Sequence, residues 1–109
     1  MMTVAKLCEV ANLCTIVCPE PEREIKGAYC GDLLSWVMGR AKSSDVWITI
    51  MSNINILAVA SLADVACVLL SEGVKPDEEL VKTAEQKGIN ILASDKTSFE
   101  LAKLIGALI

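Results

Sequence analysis

The chain has 109 residues, the size of one domain that can bury a hydrophobic core. Its net charge is −4 and its isoelectric point is about 4.7. An acidic chain lacks the basic stripe that holds a phosphate backbone, so nucleic acid is excluded as an expected partner. The residues are 53% hydrophobic and the mean hydropathy is +0.50, so a membrane-spanning segment has to be considered.

The most apolar stretch is better explained by two short buried elements than by a membrane span. Residues 46–63 contain no charge and reach 18 residues, close to the minimum for a spanning helix. Polar residues interrupt this run, however, and its first part is β-branched. The N-terminus lacks the order of regions found in a signal peptide. We therefore expect a cytoplasmic protein with no membrane partner.

The N-terminal third predicts a helix and two strands. Apolar residues recur at helical spacing over Thr3–Asn12, a strand pattern follows over Leu13–Cys18, and a second runs over Ile25–Cys30. The charged residues 19–24 contain two prolines and predict an exposed loop. This loop is too short for a parallel crossover, so the sheet is expected to be mixed.

A helix is predicted after Gly31, with Asp32 as its N-cap. Its apolar stripe would face the core, whereas Trp36 lies off that stripe on the side of Arg40. A tryptophan in such a position either covers a neighbouring loop or anchors an interface, and an interface is favoured.

The central residues 45–70 predict a βαβ unit. Val46–Met51 and Val65–Leu70 read as strands covered on both faces, and Ile56–Ala63 reads as a helix between them. The connection should be a right-handed crossover between parallel strands. Three polar residues before the helix are candidate caps: Ser52, Asn53 and Asn55.

The C-terminal part predicts two helices around one strand. Asp77 should cap a helix that runs through Lys87, and Ile89–Ala93 reads as a short strand. Thr97 to Glu100 fits a capping box for the last helix. The whole chain, residues 1–109, is therefore expected to be one domain, a three-layer α/β/α fold with a mixed, mostly parallel five-stranded sheet.

Several of these stretches resemble the DRTGG domain family. The resemblance is carried by residues 22–35, 45–50, 55–60 and 88–92, and it covers nearly the whole chain. It implies a stand-alone DRTGG domain with the fold of the N-terminal domain of HPr kinase/phosphorylase. It also implies a regulatory or sensory module without catalytic residues.

The sequence predicts neither an enzyme nor a cofactor. HPr kinase works through a P-loop in a separate domain, and these residues contain no G-x-x-x-x-G-K-[ST] motif. There is no histidine to act as a general base. Asp32 and Asp64 are the acids embedded in apolar surroundings, and both are assigned to helix ends rather than to catalysis.

The first functional hypothesis is a sensor of a small anionic ligand or nucleotide. In parallel α/β sheets, ligands bind at the carboxyl ends of the strands, where four polar turns are expected to gather. Backbone amides and helix N-termini there can bind anions. The candidate ligand-binding residues are Tyr29, Gly31, Asp32, Ser52, Asn53, Asn55, Ser71, Gly73, Ser94 and Thr97.

Two alternatives remain open at this stage. The chain offers more apolar surface than one small layer needs, which predicts a homodimer or a protein partner, with Trp36, Ile56 and Leu57 at the interface. The five cysteines permit a redox or metal-linked role, and a metal or cluster site would use Cys14, Cys18 and Cys30. Most of them are expected to be buried hydrophobes without a metal.

Overall fold

The computed structural model describes all 109 residues, in which five helices and five strands alternate along most of the chain. The helices are α1 (Val4–Val10), α2 (Leu34–Arg40), α3 (Asn55–Ala63), α4 (Glu78–Lys87) and α5 (Ser98–Gly106). The strands are β1 (Cys14–Val17), β2 (Gly27–Cys30), β3 (Asp45–Thr49), β4 (Cys67–Leu70) and β5 (Ile91–Ala93). None of these helices combines the length and the apolar character that crossing a membrane requires.

The strands form one sheet in the order β1-β5-β4-β3-β2. Strands β2 to β5 are parallel to their neighbours, and β1 pairs antiparallel with β5. The predicted mixed, mostly parallel sheet is thus confirmed. The short connection between β1 and β2 joins opposite edges of the sheet. Because β1 is antiparallel, it ends where the parallel strands begin. Residues 18–26 therefore cross the sheet at the amino ends of the parallel strands.

Helices cover both faces of the sheet, which confirms the three-layer α/β/α prediction. Successive residues of β3 point to opposite faces, so Val46 and Ile48 pack with α1 and α5, whereas Trp47 packs with α2, α3 and α4. All five residues of β3 and all four of β4 are buried. This two-sided burial explains their nearly continuous apolar sequence.

The predicted helix caps are confirmed in the C-terminal half of the chain and are wrong in its middle. The Asp77 side chain accepts a hydrogen bond from the Leu80 N–H, and Thr97 and Glu100 form the predicted capping box. The prediction that Asp32 caps α2 is wrong, because the N-cap position is Leu33 and carries no side-chain bond. The Asp32 carboxylate binds the end of β3 instead.

The predicted side-chain cap of α3 is also wrong. Ile54 occupies the N-cap position of this helix and has no polar side chain to offer. Asn53 accepts a hydrogen bond from the Asn55 N–H at 2.9 Å, which closes a local turn ahead of the helix.

Two of the three predicted interface residues belong to the core. Ile56 is 0% exposed and Leu57 is 2% exposed, because α3 packs on the sheet beside α2 and α4. Neither side chain is available to a partner, so this part of the interface prediction is wrong. Trp36 is 52% exposed, as expected, and its ring centroid lies 3.8 Å from the Arg40 guanidinium carbon.

The predicted three-cysteine site does not exist. Cys14 lies on β1 and Cys30 on β2, at opposite edges of the sheet, so these two thiols cannot bind one metal together with Cys18. The sequence suggested proximity because Cys14 and Cys18 would share one face of a strand, but β1 ends at Val17. The expectation that most cysteines are buried is also wrong, since Cys14 and Cys30 are exposed and Cys8 and Cys18 are partly buried. Cys67 is fully buried, and burial raises the pKa of its thiol far above the ordinary range.

An ion pair fastens the crossing segment, residues 18–26, to the loop after α3. The Arg23 guanidinium lies 3.2 Å from the Asp64 carboxylate and also donates to the Asp64 carbonyl at 2.8 Å. Asp64 itself has a left-handed backbone with φ of 58°. The hydrogen bond from the Ser43 hydroxyl, and then the charge of Arg23, lower the pKa of the Asp64 carboxyl.

This arrangement predicts a small acid-sensitive contribution to stability. A carboxyl whose folded pKa is lowered stabilises the fold above its unfolded pKa of about 3.9, and the contribution disappears as the pH falls through the lower folded value. Because the side chain is exposed, we expect Asp64→Asn to cost less than about 1 kcal/mol at pH 7. The difference from wild type should vanish near pH 2.5 in urea unfolding. An equal cost at both pH values would contradict this, and Asp95→Asn, at an exposed aspartate without a hydrogen-bond partner, is the control.

Candidate ligand-binding cleft

A cleft of about 350 Å³ opens at the edge of the sheet where the parallel strands end. It lies beside the carboxyl end of β5 and the start of β1, which meet there because the two strands are antiparallel. The loop after β4 forms its other wall. The lining residues are Asn12, Cys14, Ile16, Gly73, Val74, Lys75, Pro76, Ala93, Ser94, Asp95 and Lys96.

Hydrogen bonds between two loops fix the shape of this cleft. The Gly73 N–H donates to the Ser94 carbonyl at 3.0 Å, and the Glu72 N–H donates to the Lys96 carbonyl at 2.8 Å. The Ser94 hydroxyl accepts from the Lys96 N–H at 3.1 Å, so the second loop also turns tightly on itself. The loops after β4 and β5 therefore form one hydrogen-bonded unit.

The backbone of the first loop requires glycine at position 73. Its φ is +72°, in the left-handed region, and a Cβ there would lie 3.1 Å from an oxygen of Asp95. We expect Gly73→Ala to destabilise the protein by about 1–2 kcal/mol, measured by urea unfolding. Gly39→Ala is the matched control, because Gly39 lies in α2 with open space around its Cβ. That control should be neutral or stabilising by up to about 1 kcal/mol, and a similar loss in both variants would contradict the argument.

Buried and capped polar groups hold the start of α5 against these loops. The hydroxyl groups of Ser71 and Ser98 lie 2.6 Å apart, and Ser71 is completely buried. The Glu72 carboxylate accepts from the Ser98 N–H at 2.9 Å. Ser71 and Thr97, two of the predicted ligand-binding residues, thus have structural partners in this unit.

The charges in the cleft favour an anion. The protein has a single ion pair within 4.0 Å, between Arg23 and Asp64, so Lys75 and Lys96 have no carboxylate partner. The backbone N–H groups of Lys75 and Asp95 also donate to no protein acceptor. Two free ammonium groups and two free N–H donors can bind phosphate or carboxylate oxygens. The Asp95 carboxylate also lines the cleft, and it repels a negatively charged ligand oxygen placed next to it.

A second group of predicted ligand-binding residues lies at the carboxyl ends of β2 and β3, away from the cleft. One Asp32 carboxylate oxygen accepts from the Thr49 hydroxyl at 2.8 Å and from the Ile50 N–H at 2.9 Å. The Gly31 carbonyl accepts from the Trp47 indole at 2.9 Å, and the ring of Tyr29 packs against Gly31. These contacts join β2 to β3 and leave the carboxylate of Asp32 occupied.

The predicted residues therefore do not form one site. Gly73 and Ser94 line the cleft, whereas Tyr29, Gly31 and Asp32 lie beyond β4 on the far side of β3. The third group lies in the turn after β3 and at the first residue of α3, also outside the cleft. It consists of Ser52, Asn53 and Asn55.

Sequence reasoning missed several cleft residues. Asn12 precedes β1 and Cys14 is its first residue, and only the antiparallel pairing of β1 with β5 brings them to the end of the sheet where the other strands end. Lys75 and Lys96 lay within predicted turns but were not selected, although lysines in the turns of an acidic chain were a usable signal.

Together, the mixed sheet, the two helical layers and the cleft at the strand ends define an α/β domain with a ligand-sized cavity at its polar edge. The family model of the DRTGG domain matches residues 28–108, about three quarters of the chain. The chain belongs to the DRTGG domain family.

A solved structure has the same fold. It contains the CBS and DRTGG domains of the regulatory region of Clostridium perfringens pyrophosphatase, complexed with the activator diadenosine tetraphosphate. The TM-score is 0.69 at 14% sequence identity. The alignment covers 94% of this chain and 45% of the other, so this chain spans less than half of that regulatory region. A search of curated proteins finds no match.

Proposed function

We propose that this chain is a non-catalytic regulatory domain that binds a small anionic ligand or nucleotide in the cleft beside β5. The cleft itself is the observation that carries the proposal: it has a ligand-sized volume and two lysines without ion-pair partners in a chain of net charge −4. The fold is shared with part of a regulatory region that was solved with a nucleotide activator, which supports a regulatory role.

The state of the polar side chains supports binding rather than catalysis. The Glu72 carboxylate caps the Ser98 N–H, and the Asp32 carboxylate holds the end of β3. The chain has no histidine to serve as a general acid or base near pH 7. A domain built in this way changes the activity of another protein or domain through occupancy of its cleft.

A charge-matched pair of double variants tests the site. Wild-type protein should be stabilised against heat by inorganic tripolyphosphate, by about 2.7 kcal/mol at 100 times its dissociation constant. Lys75→Gln/Lys96→Gln should weaken binding at least tenfold, since charge-assisted hydrogen bonds contribute about 1.5–3 kcal/mol each. Lys42→Gln/Lys82→Gln makes the same charge change outside the cleft and should bind like wild type. Equal weakening in both double variants would disprove the assignment.

Self-association is a second candidate, favoured by the exposed apolar surface of α2. Trp36 and Leu33 are one turn apart and are 52% and 58% exposed. A homodimer or a protein partner that covers this surface would bury both side chains. Light scattering tests this: a dimer that Trp36→Glu converts to monomers supports the interface. A wild-type monomer at high concentration would remove the homodimer. The cytoplasmic location stays a prediction.

A further inference from the structure

Phe99 is a large aromatic side chain that the fold does not use. It lies in the first turn of α5, is 77% exposed and belongs to neither hydrophobic core. Its ring lines a second cavity, of about 460 Å³, on the outer side of α5. The residues that line this cavity are Lys96, Phe99, Glu100, Lys103, Leu104 and Ala107.

The two cavities adjoin each other at Lys96, which lines both. Lys75 lies in the cleft beside β5, and Lys103 lies in the second cavity. None of these three lysines has a carboxylate within 4.0 Å. A positive strip therefore runs from the cleft to the aromatic ring in an otherwise acidic protein.

Two acidic residues lie beside this strip, Asp95 in the cleft and Glu100 in the second cavity, and Glu100 is already engaged. The Glu100 carboxylate accepts hydrogen bonds from the N–H and the hydroxyl of Thr97, both at 3.0 Å. These bonds lower the pKa of the Glu100 carboxyl, so it stays ionised in the capping box. Neither Lys96 nor Lys103 forms an ion pair with it, so both ammonium groups can contact a ligand.

From this juxtaposition we propose that the ligand is an aromatic phosphate of the nucleoside polyphosphate class. Its phosphates occupy the cleft between Lys75 and Lys96, and its base stacks on Phe99 in the second cavity. This inference rests on the proposed function and adds the base subsite to it. Stacking on an exposed aromatic ring binds a base with little dependence on its identity.

Calorimetry with ATP, inorganic tripolyphosphate and adenosine separates the two subsites. In wild-type protein ATP should bind more tightly than tripolyphosphate. Phe99→Ala should weaken ATP about tenfold and leave tripolyphosphate binding unchanged, because only the stacking contact is lost. Leu62→Ala is the matched control, since Leu62 is 72% exposed on α3, on the opposite face of the sheet, and should change neither ligand. Both side chains are exposed, so both variants should keep the wild-type melting temperature.

The outcomes distinguish this inference from the proposed function. If tripolyphosphate and ATP bind equally and Phe99→Ala affects neither, the base subsite is disproved while the anion site stands. If tripolyphosphate does not bind wild-type protein, the proposed function fails. Loss of ATP binding in Leu62→Ala as large as in Phe99→Ala would also overturn the subsite.

Discussion

Replacing Trp47 with alanine should destabilise this protein by about 3–5 kcal/mol, the largest effect that we expect from a single substitution. The side chain is 0% exposed and packs in the core beneath α2, α3 and α4. Its loss leaves a cavity in the middle of the sheet. It also leaves the Gly31 carbonyl without the indole donor that lies 2.9 Å away. A typical domain has only about 5–15 kcal/mol of stability, so the variant would be marginal.

Trp47→Phe divides this effect into its parts. It keeps most of the apolar volume and removes the indole N–H, so we expect a smaller loss of about 1–3 kcal/mol. Far-UV circular dichroism during urea unfolding is the suitable measurement, because both changes remove a fluorophore. If Trp47→Ala cost less than about 1.5 kcal/mol, the buried position of the indole would be wrong.

The chain contains a natural control, since it has two tryptophans in contrasting surroundings. Trp36 is half exposed and contacts the Arg40 guanidinium. Trp36→Ala should cost about 1 kcal/mol or less, the value of an exposed cation–π contact with some packing. Trp36→Ala protein should fluoresce at shorter wavelength than Trp47→Phe protein, because its remaining indole is shielded from water.

The parts of the fold that sequence predicted are those set by local chemistry or by two-sided burial. β3 and β4 were recognisable because every residue in them is buried, and α4 and α5 because Asp77 and Thr97 form local caps. In each case the signal and the structure lie within a few residues of one another.

The parts that sequence did not predict depend on partners far along the chain. Asp32 bonds to a strand 17 residues away, and Ile56 is buried by elements on both sides of it in sequence. The placement of β1 against β5 decides which residues line the cleft, and strand pairing across most of the chain leaves no local trace. The observed cleft therefore includes Asn12, which was not predicted, and excludes Asn53, which was predicted.

The polar edges of the sheet have different tasks. The cleft and the unpaired lysines lie at the carboxyl ends of the parallel strands. The amino ends of these strands are covered by the crossing segment, residues 18–26. There the side chains of Arg23 and Asn90 donate to the backbone carbonyls of Asp64 and Ala66. Within this segment Arg23 has a structural partner in Asp64.

Asn90 fastens the first part of the crossing segment at Glu20, and its replacement with alanine should cost about 2–4 kcal/mol. The side chain is 2% exposed and uses its whole amide group. Its oxygen accepts from the Glu20 N–H at 2.9 Å, and its nitrogen donates to the carbonyls of Glu20 at 2.7 Å and Ala66 at 3.1 Å. Alanine would leave the buried Ala66 carbonyl without this donor and would release the backbone at Glu20, while backbone hydrogen bonds still hold residues 21–26.

Amide exchange distinguishes this release from a general loss of stability. In Asn90→Ala the Glu20 amide should exchange much faster than in wild type, while the amides of β3 and β4 should change only as far as the global free energy of unfolding falls. Asn53→Ala is the control, because Asn53 is exposed and its side chain makes one local hydrogen bond, so a few tenths of a kcal/mol are expected. Uniform acceleration across the whole protein would show that Asn90 supports the core at large. A protected Glu20 amide in the variant would show that other contacts hold the crossing segment, and Arg23 would then be the residue to replace.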